Sequence, residues 1–328
     1  MREWLRHQRW ARNIGDYALR RSRLFRSPAG QRLYRAWIRH RIRRLSRKPP
    51  FVHIETTNWC NARCTMCSYP QMQRPKGYMS PALFTKVLGD CRALGVRNVN
   101  LQFLGEPLLD RQIAGRVREA REAGLNAEMV SNASLLTPER SEELIRAGLV
   151  HLRISFDGFS AETFERIRVN LDFEKVRENV LGFLETRRRM RSPTPQVTLI
   201  FIRLAENGHE AEPFYRFWAD KVEHVLISHA RDWAGEMKLV QLGTTYSTRL
   251  PKPPCNHLWE EMVVLQDGRV TICCDAYEGQ VVAGDANRET LRAIWEGPAY
   301  RKIRDAHERE AFQEVPFCAK CKYYAVWW

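Results

Sequence analysis

The chain has 328 residues, of which 44% are hydrophobic and 28% are charged, a composition typical of a globular protein and not of a disordered one. It has no uncharged apolar run of about 18 residues and no apolar segment behind its start, so we expect neither a membrane-spanning helix nor a secretory signal. Nine cysteines, an odd number grouped in short spacings, favour metal ligation in a reducing cytoplasm over a disulfide framework.

The positive charge is concentrated at the start of the chain. Residues 1–50 carry fifteen arginines and Lys48 against two acidic residues, whereas the whole chain has a net charge of +15. The remainder, residues 51–328, is therefore close to neutral. The sequence thus predicts a near-neutral body preceded by a basic arm.

The arm contains a helical pattern. Apolar residues recur at helical spacing between arginines over residues 33–45, which predicts a basic amphipathic helix ended by Pro49-Pro50. Residues 28–30, Pro-Ala-Gly, separate it from a weaker pattern over residues 4–19. The helix could pack on the body, lie on an anionic membrane surface or bind another anionic partner, of which nucleic acid is the least favoured. Our working hypothesis is peripheral association with the inner face of a membrane by an otherwise cytoplasmic protein.

Three cysteines follow the first predicted strand. The apolar run at residues 51–57 predicts a buried strand, and Cys60, Cys64 and Cys67 come directly after it, spaced C-x3-C-x2-C. So tight a loop can direct three thiolates at one metal centre and leave one metal position open. A zinc site with a distant fourth ligand is the alternative.

The motif resembles the signature of the radical S-adenosylmethionine (SAM) superfamily, in which a bulky apolar residue, here Met66, precedes the last cysteine. The resemblance implies a [4Fe–4S] cluster held by the three cysteines, with SAM on the open iron. One electron, from a reductant of the flavodoxin or ferredoxin type, would then cleave SAM. The product implied is a 5′-deoxyadenosyl radical, which abstracts a hydrogen atom from the substrate.

Strands and helices then alternate, which predicts an α/β fold with a parallel sheet and outer helices. The pattern fits an open doubly wound sheet or a partial barrel, and the resemblance implies a partial (β/α)6 TIM-like barrel over residues 51–250. In either fold, ligand chemistry belongs at the C-terminal ends of the strands. The predicted strands cover residues 51–57, 98–104, 126–132, 151–156, 196–203 and 224–230. Helical patterns lie near residues 80–94, 110–123, 138–147, 160–190 and 209–220.

Two strand ends resemble SAM-binding motifs of the family. Gly105-Glu106 after strand two resembles the GGEP element, which contacts the methionine amino group, although Leu104 replaces its first glycine. Ser131 and Asn132 end strand three where the family contacts ribose. A tight loop with a surface glutamate and a capping asparagine are the alternative interpretations.

The end of strand four continues this resemblance. Ser155 is a candidate contact to the SAM ribose or carboxylate, and Asp157 is a candidate proton acceptor, although an Asp-Gly pair is equally typical of a turn. Arg168 could bind the SAM carboxylate or an anionic substrate, or be a solvated helix arginine.

Strand six ends in a polar group formed by His229, Arg231 and Asp232, next to Trp233. This group should border the barrel mouth, where substrate would lie. His229 and Asp232 are acid/base candidates by residue type and place alone.

A second set of cysteines follows a proline-rich linker, in a predicted domain covering residues 251–328. A hairpin turned at Asp267-Gly268 should bring Cys273 close to Cys255, and Cys318-x2-Cys321 would complete a set of four. By count alone, four thiols suit zinc or an iron–sulfur cluster equally. The spacing resembles the shortened SPASM, or twitch, domain, which implies an auxiliary [4Fe–4S] cluster. Cys274 could be an alternative ligand, a packed thiol or a hydrogen-atom donor.

The resemblance extends to radical dehydrogenases that oxidise an amino-cyclitol. It implies oxidation of a secondary alcohol on a sugar, cyclitol or related small molecule. If the arm binds a membrane, we expect this substrate to be anionic or lipid-linked. Alternatives are a radical epimerase that uses Cys274, a peptide-modifying enzyme, and a non-enzymatic electron-transfer module.

Overall fold

The computed structural model describes residues 28–45, 48–235 and 252–322. The segment over residues 4–19 therefore lies outside the described residues. Strands β1 to β9 are Phe51–Ile54, Asn98–Asn100, Asn126–Ser131, His151–Ser155, Gln196–Arg203, His224–His229, Glu261–Val264, Arg269–Thr271 and Val282–Asp285. Helices α1 to α11 are Pro28–Leu45, Pro81–Leu94, Ile113–Glu122, Pro138–Ala147, Ala161–Ile167, Phe173–Arg189, Ala211–Trp218, His257–Glu260, Leu291–Trp295, Pro298–Glu308 and Pro316–Lys320. Short 3-10 turns lie at Tyr69–Gln71, Pro107–Leu109, Gly208–Glu210 and Phe312–Glu314.

One sheet of nine strands runs through the described chain, in the order β6-β5-β4-β3-β2-β1-β7-β8-β9. Neighbouring strands pair in parallel from β6 through β1 to β7, whereas the pairs β7–β8 and β8–β9 are antiparallel. This arrangement confirms the predicted partial barrel of six β/α units followed by a smaller unit. One face of the parallel strands is apolar and buried because helices cover it, as shown by Val52, Val99, Ala127, Leu152 and Val197.

The single helix predicted over residues 160–190 is wrong, because the structure has two helices there, α5 and α6. Helix α5 ends at Ile167, with Arg168 as its C-cap, and Asn170 then takes a left-handed φ of 72°. Asp172 caps α6 by accepting a hydrogen bond from the Lys175 backbone N–H at 2.7 Å. The break directs Arg168 inward, where it is buried. It is therefore not a solvated helix arginine.

The arm helix α1 covers Pro28–Leu45, so residues 28–30, which were predicted to separate it from an earlier segment, lie inside it. Proline fits the first helical position because its missing N–H would have no partner there. Ile42 is buried against the body and Arg39 pairs with Glu310 at 3.5 Å, whereas the side chain of Leu33 is 70% exposed. No helix in the described ranges has the length and apolarity that crossing a bilayer requires.

The predicted hairpin is confirmed as β7 and β8, with Gly268 at a left-handed φ of 94° in the turn. Strand β7 also pairs parallel with β1, from Phe51 opposite Glu261 to Ile54 opposite Val264. The sheet therefore crosses the predicted domain boundary near residue 250. The first cysteine loop thus follows β1, while Cys255 and Cys273 flank the hairpin β7–β8 that adjoins β1 in the same sheet.

Candidate functional site

The first cysteine loop leaves the C-terminal end of β1 and is held by local contacts. The Cys60 backbone N–H donates to the Tyr69 hydroxyl at 2.9 Å, and the Tyr69 N–H donates to the Cys67 sulfur at 3.4 Å. The carbonyl oxygen of Met66 accepts a hydrogen bond from the Trp233 indole at 3.1 Å. Trp233 comes from the segment after β6, so the loop and the barrel mouth are in direct contact.

The three sulfurs of this loop fit a cationic cluster. Burial raises the pKa of Cys60 and of Cys67 to about 12, and the neighbouring Cys64 adds to both shifts. Without a cation these groups are therefore neutral thiols at physiological pH. Bound iron would compensate for the burial and hold them as thiolates.

The Gly105-Glu106 segment packs directly behind this loop. A Cβ atom on Gly105 would approach the Trp59 carbonyl oxygen to 2.7 Å and the Asn58 Cα to 2.9 Å, so only glycine fits. The buried Glu106 carboxylate accepts hydrogen bonds from the Ser131 hydroxyl and the Asn132 N–H, both at 2.8 Å. Burial raises the pKa of Glu106. The structure thus joins the ends of β2 and β3 beside Cys60.

Asn132 fixes the cysteine loop from the other side. Its side-chain amide donates to the Asn61 oxygen at 2.9 Å, and Asn61 donates to the Ser134 hydroxyl at 2.8 Å. Ala133, which follows Asn132, takes a left-handed φ of 59° while fully buried. This conformation costs a non-glycine residue about 1–2 kcal/mol.

Asp157 and Arg168 form a buried ion pair beneath the same loop. The Arg168 guanidinium also donates to the Cys64 sulfur at 3.5 Å, while its Nε has no hydrogen-bond partner in the described structure. An orphaned cationic donor beside the cysteines fits a carboxylate such as that of SAM. Asp157 lies away from solvent and holds Arg168, and Ser155 is half-buried at the end of β4.

The group predicted at the end of β6 divides in two. His229 is exposed on the edge strand, whereas Asp232 is only 3% exposed and neither carboxylate oxygen has a hydrogen-bond partner among the described residues. Burial, with a contribution from Asp275, raises the pKa of Asp232 to about 6. Trp233 and Ala234 follow with left-handed φ values of 49° and 57°. Strained backbone of this kind concentrates at functional sites.

The second cysteine set converges as a group of four. Burial raises the pKa of Cys255 well above its usual value, and Cys321 and Cys318 add to the shift. Burial also raises the pKa of Cys273, with Cys255 and Cys321 among the further contributors. The four sulfurs thus share one neighbourhood. Lys252 donates to the Cys321 carbonyl oxygen at 3.0 Å and closes the group from the linker side. Four neighbouring thiols, of which Cys318 is buried and the other three are half-buried, suit a cluster without an open position.

Cys274 points elsewhere. The Arg231 guanidinium donates to its sulfur at 2.6 Å, and His257 and Glu261 lie close enough to make a three-residue metal site conceivable. The cationic Arg231 opposes a metal ion there, and His257 already pairs with Glu261 at 2.7 Å. The structure thus places Cys274 beside Arg231, and its role as a ligand, a packed thiol or a hydrogen-atom donor stays a prediction.

Sequence reasoning missed the aromatic contacts between the two cysteine regions. Tyr69, Met72, Leu104 and Tyr277 form a small buried cluster, and Trp233 packs edge-on against Tyr277 with ring centroids 5.9 Å apart. These residues lie in four separate parts of the chain, so no periodic pattern links them. The only sequence signal was that each aromatic lies within a few residues of a cysteine or a strand end.

Comparison with known proteins agrees with this geometry. Residues 54–217 match the sequence model of the radical SAM superfamily, and residues 255–322 match SPASM, an iron–sulfur cluster-binding domain. The chain belongs to the radical SAM superfamily. Its cofactors are therefore SAM and two [4Fe–4S] clusters, one that binds SAM and one auxiliary.

Individual relatives are more distant. The chain is 34% identical over 120 residues to PqqA peptide cyclase of Rhodopseudomonas palustris, a match over 36% of this chain and 32% of that protein. The chain thus spans about a third of that relative's length. Two solved structures share the fold: BtrN with AdoMet and 2-DOIA (TM-score 0.60, 16% identity, 85% of this chain and 95% of that one) and Streptococcus suis SuiB bound to the precursor peptide SuiA (TM-score 0.65, 13% identity, 81% and 69%).

Proposed function

We propose that the protein is a radical SAM dehydrogenase that oxidises a secondary alcohol of a sugar, cyclitol or related small molecule. The observation that carries this proposal is the group of four cysteines formed by Cys255, Cys273, Cys318 and Cys321. A cluster with four cysteine ligands has no site for substrate and is suited to accept an electron. When bound, SAM and the two clusters would supply hydrogen-atom abstraction and one-electron oxidation.

The inner face of the barrel supports a polar substrate. Arg153 pairs with Glu128 at 2.6 Å, and the Asn100 amide contacts His53 at 3.0 Å, all on the face opposite the helix-covered apolar side. The Asn100 oxygen is buried with no partner in the described structure. These polar side chains suit the hydroxyl and amine groups of a substrate better than an apolar ligand.

Asp232 is the proposed proton acceptor. Its buried carboxylate lies beside Asp275, and Asp275 contacts the Cys321 sulfur at 3.8 Å. Asp232 therefore lies between the barrel mouth and the second set of cysteines. A pKa of about 6 leaves it mostly ionised at neutral pH and able to take the hydroxyl proton. Arg231, bound to Cys274 and Asp275, would fix the same region.

The test is product analysis with the anaerobically reconstituted protein, SAM and a one-electron reductant. Screening cyclitols, amino-cyclitols and sugars, we expect one 5′-deoxyadenosine per ketone formed and no solvent deuterium in the product. Asp232→Asn should retain both clusters and lose most ketone formation. Product with unchanged oxidation state would contradict the proposal.

Two other reactions are the alternatives. Solvent deuterium in the product, lost in Cys274→Ala, would instead indicate an epimerase. The relation to PqqA peptide cyclase favours a peptide substrate, which mass analysis of peptides encoded beside the gene would reveal.

We propose further that the arm brings the protein to an anionic membrane surface. Leu33 and Trp37 are exposed by 70% and 39% on α1, beside the exposed Arg32. Apolar and cationic groups on one exposed face suit a lipid interface. Co-sedimentation with phosphatidylglycerol vesicles should be strong for wild type and weak for Leu33→Glu. Equal binding to phosphatidylcholine vesicles, or none to either, would contradict this.

A further inference from the structure

The end of helix α5 is fastened to the first cysteine loop by its backbone. The Thr65 N–H donates to the Ile167 carbonyl oxygen at 3.0 Å, and the Arg63 N–H donates to the Val169 carbonyl oxygen at 2.9 Å. Arg168 stands between these two acceptors. The two bonds therefore fix the backbone of Arg168 relative to the loop that carries Cys64.

The Arg168 side chain is fixed as well. Its guanidinium donates to the Cys64 sulfur at 3.5 Å and pairs with the Asp157 carboxylate, and the side chain is buried. Asp157 in turn accepts a hydrogen bond from the Ile202 N–H at 2.5 Å, and its carbonyl oxygen accepts one from the Asn207 amide at 3.0 Å. The Ile202 N–H thus anchors the Asp157 carboxylate and the Asn207 amide anchors its backbone, and the carboxylate holds the guanidinium against the sulfur.

A cation that donates to a ligand sulfur favours the reduced state of an iron–sulfur cluster. Reduction adds one negative charge, and hydrogen bonds to the sulfurs and net local charge are main determinants of cluster potential. Burial strengthens this effect because little water screens the charge. Arg166, two residues away, lies at the surface and pairs with Glu206 at 3.0 Å, so it cannot exert the same influence.

We propose that Arg168, held by Asp157, is a positioning residue that raises the reduction potential of the SAM-binding cluster through its N–H···S bond to Cys64. It makes the one-electron reduction that starts each turnover easier. The inference rests on the proposed ligand role of Cys64, and it is independent of whether the reaction is dehydrogenation, epimerisation or peptide modification.

The experiment is a redox titration of the reconstituted full-length protein, followed by the EPR signal of each reduced cluster. The SAM-binding cluster is assigned as the one whose signal changes when SAM is added. In Arg168→Met we expect its reduction equilibrium to fall at least about tenfold, a shift of about 59 mV to lower potential for one electron. Arg168→Lys, which retains the charge, should recover part of the shift, and the auxiliary cluster should not move.

Arg116→Met is the matched control. Arg116 is buried and pairs with Asp110 at 2.7 Å, like Arg168 with Asp157, but its other hydrogen bond goes to the Met79 carbonyl oxygen and not to a cysteine sulfur. The reduction potential of the SAM-binding cluster in Arg116→Met should equal that of wild type. Arg168→Gln replaces the methionine variant if the latter does not load both clusters. An unchanged midpoint in a fully loaded neutral variant would overturn the inference. Full iron loading in Cys64→Ala would instead overturn the ligand assignment.

Discussion

The buried pair of Glu55 and Arg74 offers the strongest stability prediction. Both guanidinium Nη atoms donate to the carboxylate, at 2.8 and 2.7 Å, and Nη1 also reaches Gln266 Oε1 at 2.8 Å. The Arg74 Nε donates to the Tyr277 carbonyl oxygen at 2.6 Å. Because Glu55 follows β1 and Tyr277 follows β8, one side chain ties the first cysteine loop to the auxiliary region.

Arg74→Met would leave the fully buried Glu55 carboxylate with the Gln266 N–H, at 3.1 Å, as its principal donor. Removing one partner of a buried ion pair costs about 3–5 kcal/mol of unfolding free energy. Glu55→Gln with Arg74→Met should cost less than the sum of the two single changes, because no unpaired charge stays buried.

The pH dependence gives a second check on the same variant. Burial raises the pKa of Glu55 while Arg74 lowers it, so loss of Arg74 should raise it further. An acid with a raised folded-state pKa destabilises the fold above that pKa and ceases to do so below its unfolded value. Urea unfolding under anaerobic conditions should therefore show a smaller loss at mildly acidic than at mildly alkaline pH. A loss below about 1 kcal/mol, or one independent of pH, would refute the reasoning.

Three further predictions concern single positions. Gly105→Ala should lower SAM affinity and cost about 1–3 kcal/mol, because the new Cβ would meet backbone atoms of Trp59 and its neighbours; unchanged calorimetric binding would count against it. Ala133→Gly should be neutral or stabilising by up to about 1 kcal/mol in urea unfolding, since it relieves a left-handed φ of 59°, and a clear destabilisation would be unexpected. Asp232→Asn should stabilise the protein by about 1–2 kcal/mol at neutral pH and not below pH about 4, because burial raises the folded-state pKa to about 6; equal stability across that range would contradict the assigned burial.

Local pattern was sufficient for much of the fold. The six strands, the hairpin at Gly268 and the two cysteine spacings all arise from short-range sequence features, namely β-branched runs, an Asp-Gly turn and neighbouring thiols. The break between α5 and α6 had a signal too, since Asp172 is a strong capping residue inside the predicted helix.

Long-range contacts were not readable in the same way. The pairing of β1 with β7 joins residues about 200 positions apart, and Arg74 finds Glu55 and Gln266 from a loop without periodicity. Asp157 is predicted as a proton acceptor or a turn residue, but its burial beside Arg168 could not be read from the sequence, because it depends on the Ile202 N–H of the following strand. The catalytic roles of His229, Arg231 and Cys274 stay predictions.

The shared ladder between β1 and β7 has a consequence for the timing of turnover. Backbone hydrogen bonds hold the two strands in register, so the regions that carry the two clusters cannot swing apart as lobes on a hinge without breaking the sheet. Passage of an electron between substrate and auxiliary cluster would then need no domain closure. A slow step that responds to solvent viscosity should accordingly be sought in substrate entry or product departure.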